Sequence, residues 1–235
     1  MAKRPIFLST QIKNNNEYFN AEIIDFKWHP GYSVSQKRKS IHSLHENFIQ
    51  KFPEKKVLEI STKSENQIGV ELSAFNLKIN HSKYGMMPIE CAYQGGKVFK
   101  YDIQLIDMYS LNPYKLKKDG RLQNLGKIIG FEFDGEEFNI NPSGLFYNWI
   151  YIKALNQNLR LKNELIKFDA FTDIEYNPSK SLNCQAKACA LFVSLYNSDM
   201  IDIATNDIKA FISVQKNVQK EDKIGSFENQ IQLNL

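Results

Sequence analysis

The dipeptide Asp134-Gly135 lies between two short alternating runs, Lys127-Ile128-Ile129-Gly130-Phe131-Glu132-Phe133 and Glu136-Glu137-Phe138-Asn139-Ile140. An Asp-Gly pair tolerates the positive φ that a two-residue hairpin turn demands, so two antiparallel strands are expected to close there. Most of the remaining apolar pattern has helical spacing. Ile41, Leu44, Phe48, Ile49 and Phe52 predict an amphipathic helix over residues 33–52, capped by Ser33 or Ser35. Asn141-Pro142 reads as a cap with proline at the first helical position, opening a helix through Phe146, Trp149, Ile150 and Leu155. Shorter helices are expected over Leu159 to Phe168, Leu182 to Tyr196 and Ile208 to Val214, with a break at Asn177-Pro178. Three further strands are expected: one at Ile23 to Trp28 after a loop containing Asn14-Asn15-Asn16, and a pair formed by Lys56 to Ser61 and Ile68 to Leu72. The sum is an α+β fold, predominantly helical with a small β component.

A chain of 235 residues exceeds the ~100–150 most common for one domain. The expected division is an extension over residues 1–67 packed on a core over 68–215, then a polar tail over 216–235. With 30 basic and 26 acidic residues, the net charge of +4 lacks the footprint of a dedicated nucleic-acid binder, which leaves nucleic acid as a substrate rather than a scaffold. Lys37-Arg38-Lys39 reads as a solvated helix face, with a phosphate contact as the alternative. No run approaches the ~20 apolar residues of a membrane helix, and Met1-Ala2-Lys3-Arg4-Pro5 does not resemble a secretory signal, so no membrane association and a cytoplasmic location are expected. Cys91, Cys184 and Cys189 lack metal-ligand spacing and are expected to be reduced, semi-buried thiols. His42 and His45, three apart on a helix, read as a polar face before a metal pair, and no metal or other cofactor is expected.

The chemistry-bearing segment is Pro88-Ile89-Glu90-Cys91-Ala92-Tyr93-Gln94-Gly95-Gly96-Lys97-Val98-Phe99. In a helix running its full length, Glu90, Gln94 and Lys97 at i, i+4 and i+7 project from one face, while Ile89, Ala92 and Tyr93 anchor it. The alternative is a solvated face with ordinary i,i+4 contacts. Two glycines inside a helix cost roughly 2 kcal/mol together, which calls for close approach of a ligand or of another packed helix. No phosphate-loop or dinucleotide glycine motif accounts for them.

The same segment resembles the E-x-x-[YF]-Q-x-x-K-x-F signature of the NADAR (YbiA-like) family of N-glycosidases. Leu72-Ser73-Ala74-Phe75-Asn76 is similar to that family's L-S-N-F element, with Ala74 in place of asparagine. Phe146-Tyr147-Asn148-Trp149 is placed like the family's aromatic helix, and Asn183 like the asparagine that opens its last core helix, although the usual tryptophan-glycine before it is missing. With Trp28-His29-Pro30-Gly31, Ser33-Val34-Ser35-Gln36-Lys37 and Phe171-Thr172-Asp173-Ile174-Glu175, the chain resembles the NADAR branch that accompanies DarT-type ADP-ribosyltransferase toxins.

That resemblance implies an antitoxin that removes ADP-ribose from guanine in DNA or RNA, with the toxin as functional partner. It implies Lys97 as an amine that captures the opened ribose as a Schiff base. Glu90 and Glu175 are the catalytic carboxyl candidates, with Glu90 also placed to hold ribose hydroxyls. The substrate-binding candidates are Ser73, Phe75, Asn76, Gln94, Tyr147, Trp149, Asp173 and Asn183. For Trp149 the core competes with base stacking, and for Asp173 and Glu175 solvation competes with proton transfer. Two other functions stay open: an N-glycosidase of a small ribosylated metabolite such as a riboflavin precursor, and a non-enzymatic module that binds ADP-ribose or the toxin.

Overall fold

The computed structural model of the protein describes residues 1–12, 18–116, 119–178 and 181–217. The loop expected at Asn14-Asn15-Asn16 and the tail from Gln219 onward lie outside the described residues. In chain order the elements are β1 (Ala2–Leu8), β2 (Asn20–Phe26), α1 (Val34–Lys51), β3 (Val57–Glu59), α2 (Gln67–Glu71), β4 (Lys78–His81), β5 (Gly85–Pro88) and α3 (Ile89–Gly95). Then follow β6 (Lys97–Phe99), β7 (Ile103–Gln104), α4 (Pro113–Leu116), α5 (Arg121–Asn124), β8 (Ile128–Phe133) and β9 (Glu136–Asn139). The last are α6 (Leu145–Gln157), α7 (Leu159–Leu165), β10 (Ala170–Thr172), α8 (Gln185–Asn197) and α9 (Ile201–Asn206), with a final helical segment over 208–217. Helix outweighs strand, 46% against 21%, and the strands fall into separate small sheets, so the fold is α+β.

The first sheet has the order β2-β1-β10-β3. Its strands come from both ends of the chain: β1 meets β10 at Phe7↔Phe171 and Leu8↔Ala170, and β10 runs parallel to β3. Side chains alternate across it. Ile6, Ile24, Phe26 and Ala170 face Ile41, Leu44 and Phe48 of α1, whereas Phe7, Leu58 and Phe171 belong to the larger core around α6 and α8. Those two helices are buried on nearly every side, including Phe146, Trp149, Ile150 and Tyr151 of α6 and Ala186, Ala188 and Ala190 of α8. Residues 1–67 therefore supply three strands of the sheet that β10 completes.

The hairpin forms at Asp134 (φ 57) and Gly135 (φ 84), within the order β7-β6-β8-β9. Ser33 caps α1 by accepting the Gln36 N–H. Several expectations are corrected. Ile68 to Leu72 is helical, because Asn66 caps α2 by accepting the Ile68 N–H at 2.9 Å. Consequently β3 pairs with β10 and not with that segment. Helix α6 starts at Leu145 after Gly144 at φ 75, so Asn141-Pro142 precedes the helix without capping it. The cysteines are fully rather than semi-buried. Most consequentially, α3 ends at Gly95, and Lys97 begins strand β6.

Candidate functional site

Pro88 closes β5 and caps α3 with extended backbone, which aims the first turn of α3 at the bend over residues 72–77. The Ile89 and Glu90 N–H groups donate to Leu77 O (2.9 Å) and Ala74 O (2.8 Å), so the two sequence motifs are tied by backbone. Such bonds satisfy helix-start donors that α3 itself leaves open. Asn76 donates to Val70 O and Ser73 Oγ, and Ser73 Oγ donates to Val70 O, which closes the bend on itself.

In front of this junction opens a cavity of about 580 Å3. Eight of the eleven residues singled out from sequence line it: Ser73, Phe75, Glu90, Gln94, Tyr147, Asp173, Glu175 and Asn183. Three do not. Asn76 faces its own bend. Trp149 is 2% exposed in the core, its ring 4.9 Å from that of Phe138. Lys97 stands behind Gln94.

Glu90, Gln94 and Lys97 nevertheless form one chain. Lys97 Nζ donates to Gln94 Oε1 at 2.5 Å, and Gln94 Nε2 donates to Glu90 Oε1 at 2.9 Å. The i,i+4 pair holds within α3, but Lys97 joins from the strand, its Nζ 5.1 Å from the Tyr93 ring centroid. Burial lowers the Lys97 pKa, opposed by the negative charge of Glu90. The glycines let this turn form. A Cβ on Gly95 would stand 2.5 Å from the Tyr109 ring, and one on Gly96 would stand 2.6 Å from Phe146 Cζ and 2.8 Å from Ala92 O. Packed rings, not a ligand, occupy that space.

On the opposite wall, Asp173 Oδ1 accepts the Glu175 N–H and Oδ2 accepts Gln185 Nε2, both at 3.0 Å. The Ala74 N–H donates to Gln185 Oε1 at 2.5 Å, so one amide joins the acid loop to the bend before α3. Burial pushes the Asp173 carboxyl up to about 6, partly offset by the Gln185 bond. Behind it, Glu59 is 2% exposed and accepts Thr172 Oγ1 (2.6 Å) and the Ile174 N–H (2.9 Å), the residues either side of Asp173. Burial, then the nearby Asp173, push Glu59 up to about 7. His45 Nε2 is 2.7 Å from the same threonine hydroxyl, and burial drives its pKa down to about 4. Tyr147 is held well above its ordinary pKa, by burial first and then Glu90, and so remains a neutral proton donor.

Glu175 reaches the rim, where Lys37 Nζ lies 3.2 Å from its carboxylate and 4.9 Å from the Trp28 ring centroid. Lys37 thus leaves the solvated face expected for its run. Sequence reasoning missed Glu59, Gln185, Tyr93 and the Ser61-Thr62-Lys63 wall. Gln185 was signalled only by its closeness to Asn183. Glu59 gave no signal, since in Val57-Leu58-Glu59-Ile60 a single acid between apolar Leu58 and Ile60 reads as the solvent face of a strand.

Chemically, the arrangement offers a half-buried amine, carboxyls on two walls, and neutral phenol and amide donors. Among the described residues no group of three or more His, Cys, Asp or Glu could hold a metal, and no helix is long and apolar enough to cross a membrane. No curated protein matches the chain. A family model described as DarT1-associated NADAR antitoxin matches it over residues 2–224.

Proposed function

Because the chain belongs to the family of DarT1-associated NADAR antitoxins, we propose that it hydrolyses the N-glycosidic bond between ADP-ribose and guanine in nucleic acid, reversing the work of a DarT-type toxin. The observation that carries this reading is the Glu90–Gln94–Lys97 chain at the edge of a cavity walled on its far side by Asp173 and Glu175.

The chemistry has to assist a departing base and handle an electron-poor anomeric carbon. Protonation of the ring oxygen opens the ribose to an imine on the guanine nitrogen, with Tyr147 or Asp173 supplying the proton. The Lys97 amine adds to that carbon, and the base nitrogen leaves carrying a proton, so an imine to Lys97 remains. Water hydrolyses it, returning the amine and ADP-ribose, which recloses. Lysine suits this role because burial has begun to lower its pKa, and only the free amine is nucleophilic. Gln94 holds the amine until its bond is exchanged for substrate, and Glu90 orients the ribose hydroxyls.

The test is release of ADP-ribose from a guanine-modified oligonucleotide. Lys97→Arg keeps the charge but not the nucleophile and should lose about 10³-fold or more in turnover. Glu90→Gln should lose about 10²-fold, since the ribose then loses a charged hydrogen-bond acceptor that positions it. Near-parental turnover by Lys97→Arg would contradict the mechanism. Protection of toxin-expressing cells by that variant, without turnover, would favour a binding antitoxin instead.

A further inference from the structure

Beside the main cavity lies a smaller one of about 190 Å3. Its lining includes Tyr93, Phe131, Phe146 and Tyr147, with Asn139 at its edge and Asn183, whose Oδ1 lies near Gly144 in the same wall. Tyr93, Phe131 and Phe146 are nearly parallel. Their centroids are 5.6 Å (Tyr93–Phe131), 6.1 Å (Tyr93–Phe146) and 4.7 Å (Phe131–Phe146) apart, with interplanar angles of 29°, 23° and 21°. A cluster of rings of this kind offers an apolar wall to a planar heterocycle, and the Asn183 amide can supply donor and acceptor to its edge.

The two cavities are contiguous. Tyr93, Tyr147, Leu182 and Asn183 line both. Glu90 and Gln94 line the large cavity beside this shared wall, while Lys97 lines neither cavity and sits behind the wall, its Nζ over Tyr93 and its backbone paired with Phe131 in the sheet. The volume is below the roughly 300–1,000 Å3 of a site for a drug-sized ligand, which leaves room for one bicyclic base but not for a nucleotide. The larger cavity has hydroxyls at Ser61, Thr62 and Ser181 and the Lys63 ammonium for a pyrophosphate, and its own aromatic pair, Phe75 on Tyr114 at 4.8 Å.

We propose that the small cavity seats the guanine that leaves, while the large one holds the ADP-ribose from which it is cut. This rests on the N-glycosidase reading and adds to it the place of the base. Specificity for guanine then resides in the Asn183 amide, and cleavage occurs across the Tyr93–Tyr147 partition.

Ile140 lines the small cavity and not the large one and is 45% exposed, so Ile140→Trp narrows the pocket without disturbing the core. Guanosine and ADP-ribose are titrated separately against the full chain, as parent, Ile140→Trp and Phe131→Leu, and turnover of the modified oligonucleotide is measured alongside. Both variants should weaken guanosine binding and lower kcat/KM about tenfold or more, with ADP-ribose affinity held within about twofold. Weakened ADP-ribose binding with intact guanosine binding would place adenine there, and unchanged binding of both would show the pocket unused. Either result overturns the proposal. A parent protein that binds both ligands yet releases no ADP-ribose sinks the catalytic reading, while the guanosine arm still decides the pocket.

Discussion

Glu59 shows how much a single side chain can hide. Its neighbours in β3 present it as a surface residue, yet it is buried, and its two oxygens hold the backbone and hydroxyl on either side of Asp173. The folded protein raises its pKa to about 7, so its contribution is full below the ordinary carboxylate range and is lost as pH rises towards 7. His45, driven down to about 4, acts in the opposite sense, since acid must charge a buried neutral ring. Glu59→Gln isolates the first effect. Its amide keeps an acceptor for the Ile174 N–H and offers a donor to Thr172, and it carries no charge. Relative to the parent, its melting temperature should rise by several degrees at about pH 8 and change little at about pH 5. An equal loss at both pH values would mean that the carboxylate is needed as an ion. For Glu90 and Gln94 the spacing was enough, because i,i+4 contacts follow from helix geometry alone. Lys97 reaches the same place by another route, through a chain reversal after Gly96 that helical spacing does not describe.

Elements were legible where local chemistry decides them. Asp134-Gly135 and the Ser33 cap act within a few residues, and both elements formed where expected. Ile68 to Leu72 failed because five apolar-rich residues fit a strand or a helical turn equally well, and the Asn66 cap that settles the choice lies just upstream. The same helix carries Gly69, where an added Cβ would stand 1.9 Å from Glu59 O and 2.5 Å from Ser64 Oγ. Backbone cannot yield as a flexible side chain does. Gly69→Ala should therefore destabilise by about 3 kcal/mol, at the upper end of ordinary overpacking, in contrast to the stabilisation expected of alanine for glycine in an open helix. Denaturant unfolding measures the difference, and a neutral result would show that α2 does not press on β3.

At the scale of the molecule, the sheet that carries Glu59 and leads into Asp173 joins β1 to β10 across more than half the chain. No local pattern announces such a pairing. Pro5 even argues against a strand there, but β10 reaches only Phe7 and Leu8, so Pro5 lies where that side of β1 is an edge. Residues 1–67 are expected to be inseparable from the rest: a chain lacking β1 and β2 loses the cover over Phe171 and should give no cooperative melt by circular dichroism, whereas a stable truncated core would restore the picture of a removable extension. The site itself gathers β3, α3, α6, β10 and the start of α8, and sequence motifs named most of its residues without showing that Asp173 and Glu175 line the same cavity as Glu90. The proposed chemistry turns on the Lys97 amine. Incubation with ADP-ribosylated guanine substrate and a mild hydride reductant, followed by peptide mass analysis, should find the reduced ADP-ribose adduct on the peptide carrying Lys97 and none in Lys97→Arg; an adduct on another residue, or full turnover with no adduct at all, would assign the chemistry to Glu90 and a free oxocarbenium ion.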